Sequence, residues 1–444
     1  MRSKRSWRRD CRDQSVSPKA AAGDRATYDV VIVGGGMVGG SLALALSDTG
    51  RSTLLIEGTA PDSRSQPSFD DRTTALGNAS RRIFETLGVW SLIAPEAAAI
   101  RLIHVSDAGR FGFARLRAEE QGIEAFGYVV TNRVIGRALW RKLSPSSGAA
   151  VRTASTPAAG GLTLRVPARP EAVEISPEGV RLTVAFESGA REEITARLVV
   201  AADGAHSSVR AAAGIEAEVE DYDQIAIIAN IRADRAQDGT AYERFTPSGP
   251  LALLPLYDGS FGVVWTARPD HAAQILALSD DDFLRELQSR FGWRAGKFVR
   301  AGRRASYPLK LSRASTTVAT RTVLIGNAAQ ALHPVAGQGF NLGLRDAAML
   351  AEVIAQDDGD AGSPERLNKF AEWRSADRSG VVRFTDGLVK LFGDARFGVG
   401  ALRNLGLLLF DLTPPAKTAL ARVSAGFGGP TPRLARGLGV RDGR

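Results

Sequence analysis

The 444-residue chain has the pattern of an α/β protein: a parallel-sheet domain, interrupted by an inserted antiparallel sheet and followed by a C-terminal helical region. Three observations predict this. A β-branched run from Tyr28 to Val33 meets a glycine turn, an apolar helical stretch and a second short strand within about 30 residues, the pattern of a βαβ unit. Three apolar segments, 225–231, 251–256 and 261–267, lie close enough together to pair as antiparallel strands. A further buried strand at Val323–Gly326 then precedes a helical stretch, which places a return to the first domain after the insert.

In chain order, residues 1–27 lack apolar periodicity and form an expected disordered basic extension, with no hydrophobic stretch suited to a secretory signal. The strand at 28–33 is a short apolar run bounded by Gly34-Gly35-Gly36, as a strand buried on both faces requires. Met37 to Ser47 is helical and closes at Thr49-Gly50; Ser52 to Glu57 is the second strand. Further strands are expected at 101–105, 172–175, 181–186 and 198–202, separated by a Gly/Pro/Ala-rich loop at 144–161. Asn341 to Ala355 is helical, and beyond 360 helices dominate, with Thr413 as an N-cap and Pro414 at the first helical position.

Composition narrows the function. Hydrophobic residues make up 44% of the chain and charged ones 24%, ordinary globular usage. The single cysteine, Cys11, excludes an intrachain disulfide and a paired-thiol redox centre, points to an intracellular protein, and no metal site is expected. No apolar run approaches the length of a membrane span. The net charge of +9 is carried by the ends, +5 in residues 1–27 and +7 in 361–444, leaving the body at −3. A nucleic-acid binder would carry its basic stripe through the folded core, so no nucleic-acid partner is expected.

Gly34-Gly35-Gly36-Met37-Val38-Gly39 has the G-x-G-x-x-G spacing between a strand and a helix. Gly34 suits the tight turn, Gly36 a close approach of pyrophosphate, and Gly39 close packing of helix on strand. Glu57, at the end of the second strand, is placed to accept hydrogen bonds from an adenosine ribose and disfavours a 2′-phosphate, so the nucleotide is FAD or NAD. Asp203-Gly204, after the apolar run 199–202, brings a carboxylate and bare backbone to the same edge of the sheet; an ordinary Asp-Gly turn would look the same. The third segment runs from Val323 through Gly326-Asn327-Ala328-Ala329-Gln330 to His333-Pro334-Val335-Ala336-Gly337-Gln338-Gly339-Phe340-Asn341 and Asp346. Its glycine-rich loop opens a helix, whose free N–H groups favour an anion.

Together these segments resemble the single-component flavin monooxygenases of the para-hydroxybenzoate hydroxylase type, over roughly residues 28 to 425. His333-Pro334-x-x-Gly337-Gln338-Gly339-x-Asn341-x-Gly343-x-x-Asp346 is similar to the motif of the ubiquinone-biosynthesis hydroxylases, and Asp71–Leu76 and Tyr128–Arg133 to their flavin-contacting segments. The wider family has Gly-Asp where this chain has Gly326-Asn327, with Gln330 in place of a His; this version resembles the branch acting on 2-polyprenyl-6-methoxyphenol.

The resemblance implies a Rossmann-like FAD-binding domain (28–100, 126–215 and 300–360), a substrate sheet (101–125 and 216–299) and a helical C-terminal region (361–444). It implies FAD held by Gly34, Gly36, Gly39, Glu57, Arg72, Arg133, Asp203, Gly204, Asn327, Gly337, Gln338, Gly339 and Asn341. It also implies NAD(P)H as a transient reductant and a flavin C4a-hydroperoxide that hydroxylates a polyprenylated phenol with O2. Protein acids or nucleophiles are not evident; His333, Pro334 and Arg72 are the catalytic candidates, each open to a merely structural reading. Tyr242, Phe245, Leu253, Leu254, Pro255 and Trp265 are the expected wall of an apolar substrate pocket. The tail from Phe397 to Phe410, with Arg396, Arg403, Lys417 and Arg422, combines apolar and basic residues and suits either an anionic membrane surface or packing on the body. The expected setting is the cytoplasm, peripheral at an inner membrane or in a biosynthetic complex. A flavin-dependent prenyl-chain saturase and a flavin-loaded scaffold remain open alternatives.

Overall fold

The computed structural model describes residues 26–61, 63, 66, 69–109, 112–144, 161–332, 337–375, 413, 418, 425–426 and 429–441. Of the expected extension, residues 1–25 lie outside the described residues, as do the tail segment 397–410 and the pair His333-Pro334, whereas Ala26 and Thr27 open the first strand.

The first strand, Ala26–Val33, pairs in parallel with Thr53–Ile56 on one side and Arg191–Ala201 on the other. Thr322–Leu324 extends the sheet in parallel beyond Arg191–Ala201, and Leu162–Arg165 extends it beyond Thr53–Ile56. These strands have apolar residues in continuous runs because both faces are covered. Val30, Ile32, Leu55, Leu198 and Val200 pack into one core with the helices Met37–Leu46 and Gln338–Ala355. Val31, Val33, Leu54, Val199 and Ala201 pack into a second core on the opposite face. The helix Gln338–Ala355 is buried almost all round, Arg345 and Asp346 included, as a helix wedged inside a domain must be. It begins three residues before the expected Asn341.

The second sheet has nine strands, in the order 330–331, 305–314, 217–233, 261–267, 249–255, 240–246, 102–107 and 113–117, with 298–301 pairing off the path. It is antiparallel except where Thr240–Thr246 runs parallel to Leu102–Asp107. One face packs against the helices Pro269–Ala277 and Asp280–Phe291, the latter N-capped by Ser279, whose side chain accepts from the Asp282 N–H. The other face looks toward the first sheet across a cavity. The strand Ala305–Ala314 pairs along much of Ala217–Ala233, so it belongs to this second sheet. The crossover back to the first sheet therefore falls beyond 314 and not at 300. A small three-stranded sheet of Thr73–Gly77, Gly127–Thr131 and Ala98–Ile100 bridges the two.

Beyond the long helix, residues 364–375 are helical. Among the described residues no helix is long and apolar enough to cross a membrane.

Candidate active site

One cavity of about 1030 Å³ joins the end of the parallel sheet to the open face of the antiparallel sheet. That is the upper end of the roughly 300–1,000 Å³ range of small-molecule sites. At its parallel-sheet end it is lined by Gly34, Gly36, Glu57, Asp203, Gly204 and Asn327, all expected from the sequence, and Arg72, Gly337 and Gly339 border it further along.

The glycine turn is built for close approach. Gly34 has φ +104, and a Cβ there would sit 2.4 Å from the Ala202 carbonyl oxygen. A Cβ on Gly39 would sit 1.9 Å from the Gly34 carbonyl oxygen, so helix and turn touch backbone to backbone. Glu57 Oε2 accepts from the Gly35 N–H at 2.6 Å, and its Oε1 accepts from the Thr59 N–H at 2.9 Å. The carboxylate is thereby fixed at the cavity wall. Trp140 Nε1 donates to the Gly35 carbonyl at 3.2 Å, closing the turn from behind.

Two helices begin at this cavity, Met37–Leu46 and Gln338–Ala355, with glycine N-caps at Gly36 and Gly337. Neither N-cap makes a side-chain capping bond and neither first turn holds an acid. Both therefore aim the positive end of a helix dipole at the cavity. Asp203 uses Oδ2 to accept from the Ser208 N–H at 2.8 Å, while its Oδ1 is buried without a partner. Two uncapped N-termini and an orphaned acceptor at one cavity match a ligand that is anionic in its middle and hydroxyl-rich.

Residues 27–385 match the family model described as FAD binding domain. The chain belongs to this FAD-binding family. FAD is its cofactor, and the donors and acceptors just described suit its pyrophosphate and sugar hydroxyls. The chain is 38% identical over 431 residues to the ubiquinone hydroxylase UbiL of Rhodospirillum rubrum, covering 96% of each chain. It is 32% identical to the 3-demethoxyubiquinol 3-hydroxylase of Escherichia coli, covering 90% of this chain and 98% of that one. It is 28% identical to the human mitochondrial ubiquinone biosynthesis monooxygenase COQ6, covering 90% and 92%. Among solved structures, p-nitrophenol 4-monooxygenase PnpA of Pseudomonas putida shares the fold at TM-score 0.73 and 18% identity, covering 91% of this chain and 99% of that one.

Several residues expected at the FAD site are placed elsewhere. Asn341 is buried with its amide fully engaged. Its Oδ1 accepts from the Gly77 N–H (2.9 Å) and Ser80 Oγ (2.6 Å), and its Nδ2 donates to the Ala75 and Gly337 carbonyls, both at 2.8 Å. It clamps the strand 73–77 to the start of the long helix and has no capacity left for a ligand. Gln338 is buried beside it and does not line the cavity. Arg133 is exposed and pairs with Asp71; its neighbour Asn132 lines the cavity instead. Arg72 lies at the cavity with Nε 2.6 Å from Asp70 Oδ2 and its guanidinium 4.7 Å over the Tyr307 ring. Burial, and then the Asp70 carboxylate, push the Tyr307 phenol above its ordinary pKa.

The expected substrate wall is corrected in part by strand parity. Leu253 and Trp265 are 0% and 1% exposed and pack with Phe283 and Leu287 on the helix-covered face. Pro255 follows Leu253 at period two onto that face. Tyr242 lines the cavity as expected, while its ring also meets Phe291 at 5.4 Å between centroids. The cavity is lined by the alternate positions Ala241, Glu243, Ala252, Leu254, Val264 and Thr266. Leu254 was expected there; the others, and Arg169 at the FAD end, were missed. Neither Glu243, in the mixed run Tyr242-Glu243-Arg244, nor Arg169 had a signal in the sequence. Trp265→Ala is therefore expected to cost about 3–5 kcal/mol of stability, read as a lower urea midpoint. Ala252→Phe should leave the midpoint near wild type and raise the substrate KM at least about tenfold by narrowing the pocket.

Proposed function

We propose that the protein is an FAD-dependent hydroxylase that uses NAD(P)H and O2 to oxygenate the ring of a polyprenylated phenol in ubiquinone biosynthesis. The observation that carries this reading is one continuous cavity, in which a dinucleotide cradle opens directly onto a largely apolar sheet face. The names of the relatives support the substrate class, and the absence of a second G-x-G-x-x-G supports a reductant that binds only in passing.

FAD supplies the electron and oxygen chemistry when bound; the chain positions and shields the reactants. Glu57 would hold the adenosine ribose, with its carboxylate already aimed by the Gly35 and Thr59 N–H groups. The turn at Gly34 and Gly36 and the N–H groups of the helix Met37–Leu46 would take the pyrophosphate. Asp203 Oδ1 and the Asn327 amide are the acceptors and donors available to ribityl hydroxyls. Gly337 and Gly339, at the start of the long helix, would place N–H groups beside negative charge on the ring end of the cofactor. Ala252, Leu254 and Val264 would exclude water from the phenol ring. We place the protein at the cytoplasmic face of a membrane, where a greasy substrate resides.

The test is direct. Purified protein should be yellow, and with a short-chain 2-prenyl-6-methoxyphenol under O2 it should consume NAD(P)H and give a product about 16 mass units heavier, one oxygen atom. Bound flavin with no substrate-stimulated NAD(P)H oxidation would favour a scaffold. A product two hydrogens heavier would favour a prenyl-chain saturase.

A further inference from the structure

The cavity wall on the antiparallel sheet is mostly apolar, and among the described residues it holds one carboxyl. Glu243, on the strand Thr240–Thr246, stands in a cross-strand row with Val105, Ala252 and Val264. Its carboxyl makes no hydrogen bond or ion pair with any described residue, and it lines the cavity. The charged groups nearby are accounted for otherwise. His104, Arg115 and Arg244 lie at the opposite strand parity, on the far side of the sheet. Asp107 shares Glu243's face at the next cross-strand pair along. Arg72 lines the same cavity and is paired with Asp70. Thr266 Oγ1, buried in the same wall, also lacks a partner. A carboxyl that faces a ligand cavity without a hydrogen-bond or ion-pair partner costs stability, and such a cost is commonly kept for chemistry.

We propose that Glu243 receives the hydroxyl of the phenol substrate, accepting its O–H hydrogen bond and taking its proton as the ring is oxygenated. The inference rests on the hydroxylase reading above. The electron pair of the O–H bond becomes the second C–O bond of a dienone as an ortho or para ring carbon binds the transferred oxygen. That carbon then loses its C–H proton, the C–H pair restores the aromatic ring, and Glu243 returns its proton to the ring oxygen. The oxidant is O2, with NAD(P)H as the reductant that takes its second oxygen to water. Geometry comes first in this assignment, and charge state agrees: burial pushes the Glu243 carboxyl up to about 7. A group poised there accepts and returns a proton at neutral pH.

The test reads binding, without turnover. A 6-prenyl-2-methoxyphenol keeps its own hydroxyl protonated below about pH 9, since phenols of the tyrosine type ionise near pH 10. Its affinity for the oxidised, FAD-loaded protein, followed by the visible spectrum, should weaken about tenfold from about pH 8.5 to about pH 5.5, as a charge-assisted bond gives way to a neutral one. Glu243→Gln should bind weakly and without pH dependence, with FAD content unchanged; Glu243→Asp should restore part of the dependence. A structural role predicts a lower melting temperature for Glu243→Gln. The proposal predicts the reverse at about pH 8, where wild type keeps an ionised carboxylate in a poorly hydrated site. That advantage should vanish near pH 5, where both side chains are neutral. Wild-type affinity and pH dependence in Glu243→Gln, with product still formed, would overturn the role of Glu243 and leave the hydroxylase reading standing. A wild-type protein that neither binds the phenol nor oxygenates it would overturn the hydroxylase reading itself, and this assignment with it.

Discussion

Gly39→Val protein is expected to leave purification colourless, with FAD affinity down at least about 100-fold, or about 2.7 kcal/mol. The reason is backbone contact: a Cβ at position 39 would stand 1.9 Å from the Gly34 carbonyl oxygen and 3.0 Å from Ala202 Cβ. No rotamer relieves a clash at Cβ, so helix and turn must separate, and the N–H groups that face the pyrophosphate move with them. The neighbouring Gly40 is the control. A Cβ there meets only Leu143 Cδ1 at 3.4 Å and the Gly35 carbonyl at 3.6 Å. Gly40→Ala should keep its colour and gain up to about 1 kcal/mol from helix propensity. Flavin content by absorbance ratio and stability by urea titration separate the two. A yellow Gly39→Val with normal FAD affinity would show that the turn does not carry the cofactor.

Arg374→Met should destabilise the protein by about 3–5 kcal/mol, the usual cost of stranding one partner of a buried ion pair. Arg374 and Asp346 are 2% and 5% exposed at their side chains and lie 2.6 Å apart, with a second contact of 2.7 Å from Arg374 Nε. Asp346 also reaches back to the cofactor loop. Its Oδ2 accepts from Gln330 Nε2 at 2.9 Å and from the Gly326 N–H at 3.3 Å. Loss of Arg374 would leave a carboxylate buried with neutral donors only. The Asp346→Leu/Arg374→Met double variant removes both charges and should recover part of the stability. It should not recover FAD affinity, because the Gly326–Gln330 loop still lacks its anchor. Denaturant midpoints and flavin dissociation constants for the three proteins check this; additive losses in the double variant would count against direct coupling.

The difference between the two halves of the cavity explains what was legible beforehand. At the FAD end the determinants are local: a glycine spacing sits in one turn, Glu57 ends the next strand, and Asp203 ends another. Strand, turn and helix follow one another in sequence, so the chemistry can be read off in order. The parallel strands were legible for the same reason, because burial on both faces makes their apolar runs continuous.

At the substrate end the determinants are not local. Leu253 and Trp265 were expected at the pocket because they are large and apolar, yet both are buried against the helices Pro269–Ala277 and Asp280–Phe291. Apolar residues alternate on both faces of the strands 249–255 and 261–267, since one face meets helices and the other a greasy cavity. Period two separates the faces and cannot say which one is which. Asn341 shows a related limit, because its residue type suits a ligand contact as well as a clamp. Only the arrival of Gly77 and Ser80 from elsewhere in the chain uses up its hydrogen bonds.

By itself, then, the sequence determined the α/β class, the dinucleotide turn and its acid, and the insertion of an antiparallel sheet, because each is written in contiguous residues with a fixed period. Only the tertiary structure decided that Ala305–Ala314 completes the second sheet, that Ala252 and Val264 rather than Leu253 and Trp265 line the pocket, and that Glu243 faces it. Those facts depend on which face of a strand another element covers, and that is settled by packing between segments far apart in the chain.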